Sequence, residues 1–589
     1  MACRSLAGKF HLVLHAEMDI AVTTLENHTP SGYVPDGVAP LAVLRRFAAH
    51  DGSLFSLLHS RCMQQPDKLL MLFPASSGEQ RWSYREFERD VLRASALYAA
   101  RGVQQGDRIG VMSASHPATV ITLFALARLG AIMVPVNPDY GLEEAGYVLR
   151  HAEVCGVLCS PQCLRIAQAA CAALPLRPWF LLNASVPADA EAPLHQAAAG
   201  LALFEQELAL SRPQDLTENL QTVAPGEAND TCLFIYTSGT TGFPKGVMHS
   251  QRNLTLAGEG FVERLYVQPD ERLLAVLPLF HINALLYSLC GALAAGATYV
   301  LAPRFSASTF WPLVLQSGAT LVNTIAAITT ILLKRPASEF IPGHSLRKLY
   351  GAPLTAEMID GFRERFGVPH LIEGYGMSEI PGAINNPFTG LQKVGAMGLP
   401  SRHPDPAIHL ADLRIVDDQG CDVVDGQTGE LLCRTPMVMQ GYYRDPQQTA
   451  ASFQGDWFIT GDLVRRDSDG YFWFVSRKKD IIRKRGENIS GSELDRVISE
   501  HPSILEAAAV AVPSELGEDD ILVAVVCRPG MTLGANEVAD WARARLAAIK
   551  VPRYVLFCDE LPHTPTHRVA KFKLKADPTL QARAIDLGR

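Results

Sequence analysis

The stretch TCLFIYTSGTTGFPKGVMHS, residues 231–250, restricts what this chain can fold into more than any other. Leu233, Phe234 and Ile235 suit a buried strand, because β-branched and aromatic side chains pack well on a pleated surface. The strand empties at once into a loop with glycines at 239, 242 and 246. Thr237, Ser238, Thr240 and Thr241 add hydroxyl donors there, and Lys245 adds a full charge. Glycine lets backbone N–H groups approach an anion closely, so the pattern predicts a polyphosphate cradle. It is not a G-x-x-x-x-G-K-[ST] loop, which the sequence lacks.

A chain of 589 residues is too long for one core, so at least two domains are expected. With 48% hydrophobic and 19% charged residues the composition is globular, and a net charge of −8 argues against bulk binding to nucleic acid or to an anionic membrane. The longest uncharged run, 282–303, is interrupted by Gly291 and Gly296 and carries Asn283, Ser288 and Thr298; it reads as a buried helix, turn and strand rather than a membrane span. The apolar run at 10–16 holds two histidines and is followed by Glu17 and Asp19, which makes a poor signal peptide. A cytoplasmic location follows, with the twelve cysteines read as reduced thiols. Spacings of four, four and eight among Cys155, Cys159, Cys163 and Cys171 do not match a zinc site.

Along the chain, residues 1–49 read as a variable leader, and Met18 is a second candidate start. A helix is expected over 53–63, and another up to about Arg101 begins at Ser83, whose capping-box partner is Glu86. A strand beginning at Val111, a helix over 116–130 and a strand over 131–136 follow. The same alternation at 148–183 and 272–303 predicts parallel sheets covered by helices. After Pro400 short strands such as 413–416 and 429–433 alternate with Asp/Gly turns, as in an antiparallel or barrel-like β subdomain. Beyond Arg477 a helix at 493–499, strands at 507–512 and 521–527 and a helix at 535–547 predict a smaller α+β domain.

Several further stretches carry nucleotide chemistry. In 373–379, Glu373-Gly374-Tyr375-Gly376-Met377-Ser378-Glu379, the ring of Tyr375 suits stacking on a base, Ser378 reaching a phosphate and Glu379 holding Mg²⁺. Asp462, after Thr460 and Gly461, suits two ribose hydroxyls, and Arg477 offers a planar fork of donors. Gly351, Ala352 and Pro353 allow close backbone approach, and His281 ends an apolar strand.

The first loop, Tyr-Gly-Met-Ser-Glu at 375–379, Thr-Gly-Asp at 460–462 and Arg-Lys-Lys-Asp at 477–480 occur in that order. The chain resembles the adenylate-forming superfamily of acyl-CoA synthetases, peptide-synthetase adenylation domains and firefly luciferase over about 50–580, and its 470–490 stretch resembles the crotonobetaine/carnitine-CoA ligase branch. The resemblance implies an α/β fold in three parts: a leader at 1–49, a large AMP-binding domain at 50–478, and a small mobile C-terminal domain at 479–589. It implies ATP, Mg²⁺ and CoA as cofactors and a small carboxylic acid as substrate, first adenylated and then passed to the CoA thiol. Thr237 to Gly242 and Lys245 would hold the outer phosphates, Glu379 the Mg²⁺, Asp462 and Arg477 the ribose, with Gly351, Ala352 and Tyr375 framing adenine. Lys479 matches the hinge, Gly486 the pantetheine approach and His281 the acyl-pocket entrance, with Asn283 and 325–327 lining the pocket.

One position departs from the pattern. Where the family shows Pro-Lys-Thr-x-x-Gly-Lys, this chain has Pro562-His-Thr-Pro-Thr-His-Arg568. Arg568 keeps the charge as a broad fork, Lys571 is an alternative after a small shift, and weak adenylation is a third possibility. Two other readings stay open at this level: delivery of the acyl group to a carrier-protein thiol or an amine, and a nucleotide-binding homologue without full turnover.

Overall fold

The computed structural model describes residues 37–588 apart from 76–77, 176, 188–189, 211–224, 238–243, 485–486, 515–517 and 564–568. A nine-stranded sheet runs, edge to edge, Leu399–Pro400, Ile380–Asn385, His370–Met377, Lys348–Gly351, Leu321–Asn323, Arg272–Ala275, Thr298–Leu301, Leu69–Ala75 and Gly78–Ser83. Its six inner strands, from His370–Met377 to Leu69–Ala75, are mutually parallel, and the edges are antiparallel. An eight-stranded sheet runs Gly441–Tyr442, Lys245–Ser250, Thr231–Thr237, Ile132–Val136, Arg108–Met112, Gly156–Cys159, Trp179–Leu182 and Ala202–Leu203. The strand–helix alternation of the sequence thus becomes two crossover sheets, because a parallel pair needs a long connection and a helix covers the apolar face.

Helix Gln251–Leu265 packs against Cys290–Ala295 and against the segment Asn283–Leu289. That segment is π-helical, a form often found at functional sites. The capping box at Ser83 and Glu86 forms, starting helix Tyr84–Ala100. The strand expected from Val111 begins earlier, at Arg108, whose guanidinium donates to the carbonyls of Ala152 and Glu153 and so tolerates the strand position. Residues 37–49, read from sequence as the end of a leader, form helix Pro40–Leu44 and place Val43 fully in the core.

A third, five-stranded antiparallel sheet contains Asp412–Val416, Thr428–Arg434, Phe453–Gln454, Trp457–Arg466 and Phe472–Arg477. Beyond it, hairpin Ile481–Lys484/Glu487–Ser490 precedes a four-stranded sheet of Ile504–Pro513, Asp519–Cys527, Tyr554–Phe557 and Ile585–Asp586, with helices Gly491–Ser499 and Ala535–Arg543. Helix Ala535–Arg543 stops short of the expected residue 547. Its apolar periodicity continues in sequence, but after Arg543 the backbone passes through turns into a 3₁₀ segment, Ala548–Lys550. Among the described residues no helix is long and apolar enough to cross a membrane. Cys159, Cys163 and Cys171 are buried, and burial raises each thiol above its ordinary value.

Candidate active site

Strand Thr231–Thr237 returns as Lys245–Ser250 with Thr237 opposite Lys245. Ser238, Gly239, Thr240, Thr241 and Gly242 of the predicted phosphate loop lie outside the described residues, as do Gly486 and Arg568. Thr237 and Lys245 are therefore its described ends. Strand Gly441–Tyr442 pairs with Lys245–Ser250, and the Lys245 ammonium sits 5.0 Å from the centre of the Tyr442 ring. The Tyr442 hydroxyl donates to Glu379 Oε1 at 2.8 Å, leaving Oε2 for another partner. Tyr442 thus ties Lys245 to Glu379. Sequence reasoning missed it, since a Gly-Tyr-Tyr run has no diagnostic spacing.

A second group gathers at the other end of the 375–379 turn. The Tyr375 hydroxyl donates to Asp462 Oδ2 at 2.5 Å, and Arg477 Nε lies 2.7 Å from Asp462 Oδ1. Asp462 and Arg477 face each other across adjacent strands, so sheet register fixes the pair. Asp462 is fully buried. The Thr460 hydroxyl accepts the Asp462 N–H at 3.0 Å and donates to the Leu431 carbonyl at 2.8 Å, which holds the tight turn at Gly461. Burial, reinforced by the Asp462 carboxylate, pushes the Tyr375 hydroxyl well above its ordinary pKa, so Tyr375 stays a donor. Burial and the nearby charges of Arg477 and Lys245 hold the Lys479 ammonium below its ordinary value. Lys479 therefore shares the electrostatic field of both groups.

The turn itself is pinned from below. His249 Nε2 donates to the Ser378 carbonyl at 2.8 Å, and Nδ1 faces the Asn253 amide at 3.2 Å. A carbonyl only accepts, so the Nε2–H tautomer is required. Burial lowers the His249 pKa to about 4, leaving the ring neutral. His249 lies within the opening stretch, but only the tertiary contact reveals its task.

Gly351 ends strand Lys348–Gly351 opposite Glu373, with Ala352 and Pro353 exposed beyond it. Glu373 is 8% exposed, its Oε2 has no hydrogen-bond partner among the described residues, and burial lifts its pKa to about 8. A carboxyl so placed is neutral around pH 7. Gly374 lies opposite Asn385, Gly376 packs against Gly382, and Met377 lies opposite Ile380. His281 lies in the turn closed by its N–H to the Pro278 carbonyl, with its ring 4.5 Å from Phe280. Asn283 opens the π-helical segment with a buried, unpartnered Oδ1, and Ile325 and Ala327 are exposed. The ammonium of Lys571, the alternative to Arg568, lies 2.5 Å from Asp495 Oδ2.

The sequence matches the AMP-binding enzyme family over residues 58–443 and the AMP-binding enzyme C-terminal domain over 493–568. It is 31% identical to the crotonobetaine/carnitine–CoA ligase of Shigella dysenteriae over 517 residues, covering 86% of this chain and 96% of that one. It is 32% identical to the sulfoacetate–CoA ligase of Cupriavidus necator over 532 residues, covering 89% and 97%. The structure superposes on ATP-bound MatB from Rhodopseudomonas palustris with a TM-score of 0.75 and 27% identity, covering 90% of this chain and 100% of that one. With phosphate-loop ends, carboxylates and aromatic anchor assembled in family order, the chain belongs to the AMP-binding enzyme family.

Proposed function

We propose that the protein is an ATP-dependent carboxylic acid–CoA ligase working through an acyl-adenylate. The observation that carries the reading is the 375–379 turn: it joins the Tyr375–Asp462–Arg477 cluster to the Glu379–Tyr442–Lys245 chain. A nucleoside triphosphate needs both halves, a sugar-and-base clamp at one end and cations with N–H donors at the other. The relatives' acids, crotonobetaine, carnitine and sulfoacetate, differ, so the name of the acid does not transfer.

In this reading Asp462 takes the ribose hydroxyls, and Arg477, 2.7 Å from its Oδ1, orients that carboxylate. Tyr375 stacks on adenine, with Gly351, Ala352 and Glu373 at its edge. Gly374, Gly376, Met377 and Ser378 shape the turn, while Thr237 to Gly242 and Lys245 hold the outer phosphates. Glu379 suits Mg²⁺: it is an oxygen donor oriented by the Tyr442 hydroxyl, with its second oxygen not used by Tyr442. Bound there, Mg²⁺ would neutralise phosphate charge. The substrate carboxylate oxygen attacks the α-phosphorus and pyrophosphate leaves; the CoA thiol then attacks the acyl carbonyl and AMP leaves. Arg568 supplies the cation at the first step and Gly486 borders the thiol approach, with His281 at the pocket entrance.

We place the boundary between the large domain, ending at 478, and the small mobile domain (479–589) at Lys479, the hinge, whose carbonyl accepts from Lys575 at 3.0 Å. The described cysteines are all free thiols, which suits the cytoplasm. Incubation with ATP, Mg²⁺, CoA and a panel of acids, read by mass spectrometry, tests the assignment. Acyl-CoA with AMP supports it. Adenylate that persists until a carrier protein or amine is added replaces it.

A further inference from the structure

Arg264, on helix Gln251–Leu265, is 3% exposed and forms no ion pair with a carboxylate among the described residues. Its Nη2 donates to the Gly382 carbonyl at 2.8 Å and to the Ser401 hydroxyl at 3.3 Å, and Nε donates to Asn385 Oδ1 at 3.4 Å. Nη1 is buried without a hydrogen-bond partner of good geometry, although the Tyr287 and Tyr350 hydroxyls approach the group. The rings of Tyr287, Tyr350 and Phe261 surround the guanidinium at 5.2, 5.4 and 5.9 Å. These faces soften the cost of burial but bring no counter-charge.

Buried cations are normally paired, because leaving one uncompensated is strongly unfavourable. The carboxylates of the same helix serve other groups. Glu259 accepts from His50 at 3.0 Å and His403 at 3.2 Å, and Glu263 faces Arg402 and His403. Glu373, near Tyr350, is kept protonated by burial at neutral pH.

The position of this unpaired charge is specific. A Cβ on Gly374 would fall 2.2 Å from the Tyr350 hydroxyl, and one on Gly382 would fall 2.3 Å from Arg264 Nη2. The glycines on either side of the 375–379 turn are therefore what admit the tyrosine and the guanidinium. Successive residues of a strand face opposite sides, so Tyr375 points to Asp462 while Gly374 opens toward Tyr350, whose ring lies 5.4 Å from the Arg264 guanidinium. Tyr287 lies four residues beyond Asn283 in the π-helical segment, whose buried Asn283 Oδ1 is also unpartnered.

From this geometry, and resting on the acid–CoA ligase reading above, we infer that Arg264 is the specificity-determining residue of the acyl pocket and receives a second anionic group, a carboxylate or a sulfonate, carried by the acid at its far end. The nucleotide takes the Tyr375 side of the strand, with its sugar at Asp462 and its phosphates at Lys245 and Glu379. The anion that reaches the Gly374 side comes with the acid.

The test compares butyrate, succinate and 3-sulfopropionate with ATP, Mg²⁺ and CoA, following AMP formation in wild type, Arg264→Met and Arg264→Lys. The expected result is a kcat/KM for at least one dianionic acid about 100-fold or more above that for butyrate, since a site built for a polar group rejects the analogue lacking it. Succinate against 3-sulfopropionate tells carboxylate from sulfonate. Arg264→Met should remove the preference, the ratio of dianion to butyrate kcat/KM falling toward one, and Arg264→Lys should keep part of it. Should Arg264→Met not fold, the wild-type ratio and Arg264→Lys decide. Wild type that turns over butyrate as well as or better than both dianions overturns the inference and leaves acid–CoA ligation standing. No AMP or thioester from any acid overturns both.

Discussion

Replacing Glu373 by Gln tests the electrostatics of the site floor without altering its shape. The Glu373 carboxyl has a folded pKa near 8 against an ordinary 4.5, because burial disfavours the ionised form. A carboxyl whose folded pKa is raised contributes fully below its unfolded pKa, and that contribution is lost as pH rises toward the folded value. The window here is pH 4.5 to 8. Each unit of difference corresponds to about 1.4 kcal/mol, so the whole window is worth roughly 3 to 5 kcal/mol. Glutamine occupies the same volume, offers the same neutral donor and acceptor, and does not titrate. Glu373→Gln should therefore match wild type near pH 5 and exceed it near pH 8, by several degrees in the melting transition of the large domain. The assay is the difference in melting temperature between variant and wild type across pH 5 to 8.5, in which every other titrating group cancels. A difference that stays flat with pH, or a variant equally destabilised throughout, would refute the reasoning.

Other perturbations follow from the same contacts. Asp462→Asn keeps the shape but removes the charge between Tyr375 and Arg477; it should destabilise by about 2 to 4 kcal/mol and weaken ATP binding tenfold or more, read by melting and calorimetry. Tyr442→Phe frees Glu379 while leaving the ring under Lys245, so the Mg²⁺ concentration for half-maximal activity should rise about 10-fold at a stability cost of about 1 kcal/mol. His249, His116 and His370 all have pKa values lowered to about 4, mainly by burial. Unfolding lets each take up a proton below about pH 6.5, so stability should fall between pH 6.5 and 4, and a pH–melting curve level over that interval would contradict this.

How far the sequence reaches depends on how local each signal is. The parallel sheets were legible because crossover units write themselves as alternating apolar strands and amphipathic helices, and Ser83 with Glu86 announced a helix start that the structure contains. Asp462 and Arg477 were legible as separate motifs, but their ion pair comes from the register of two strands. Tyr442 reaches Glu379 only because a two-residue strand adds to the edge at Lys245–Ser250, a pairing no spacing encodes. No motif or spacing in the sequence marks Arg264; its burial among Tyr287, Tyr350 and Gly382 is a tertiary fact. The π-helical turn of Asn283–Leu289 is equally silent, since its apolar run also fits an ordinary buried helix.

The central claim is that the acid's own carboxylate oxygen attacks the α-phosphorus of ATP. It is tested most directly with a substrate acid labelled with ¹⁸O in both carboxylate oxygens. Attack forms a bond from one labelled oxygen to phosphorus, and departure of AMP from the thioester carries that oxygen away. One ¹⁸O in the product AMP and unlabelled pyrophosphate is the predicted result. Label in inorganic phosphate with ADP as product, or AMP free of label, would contradict the account.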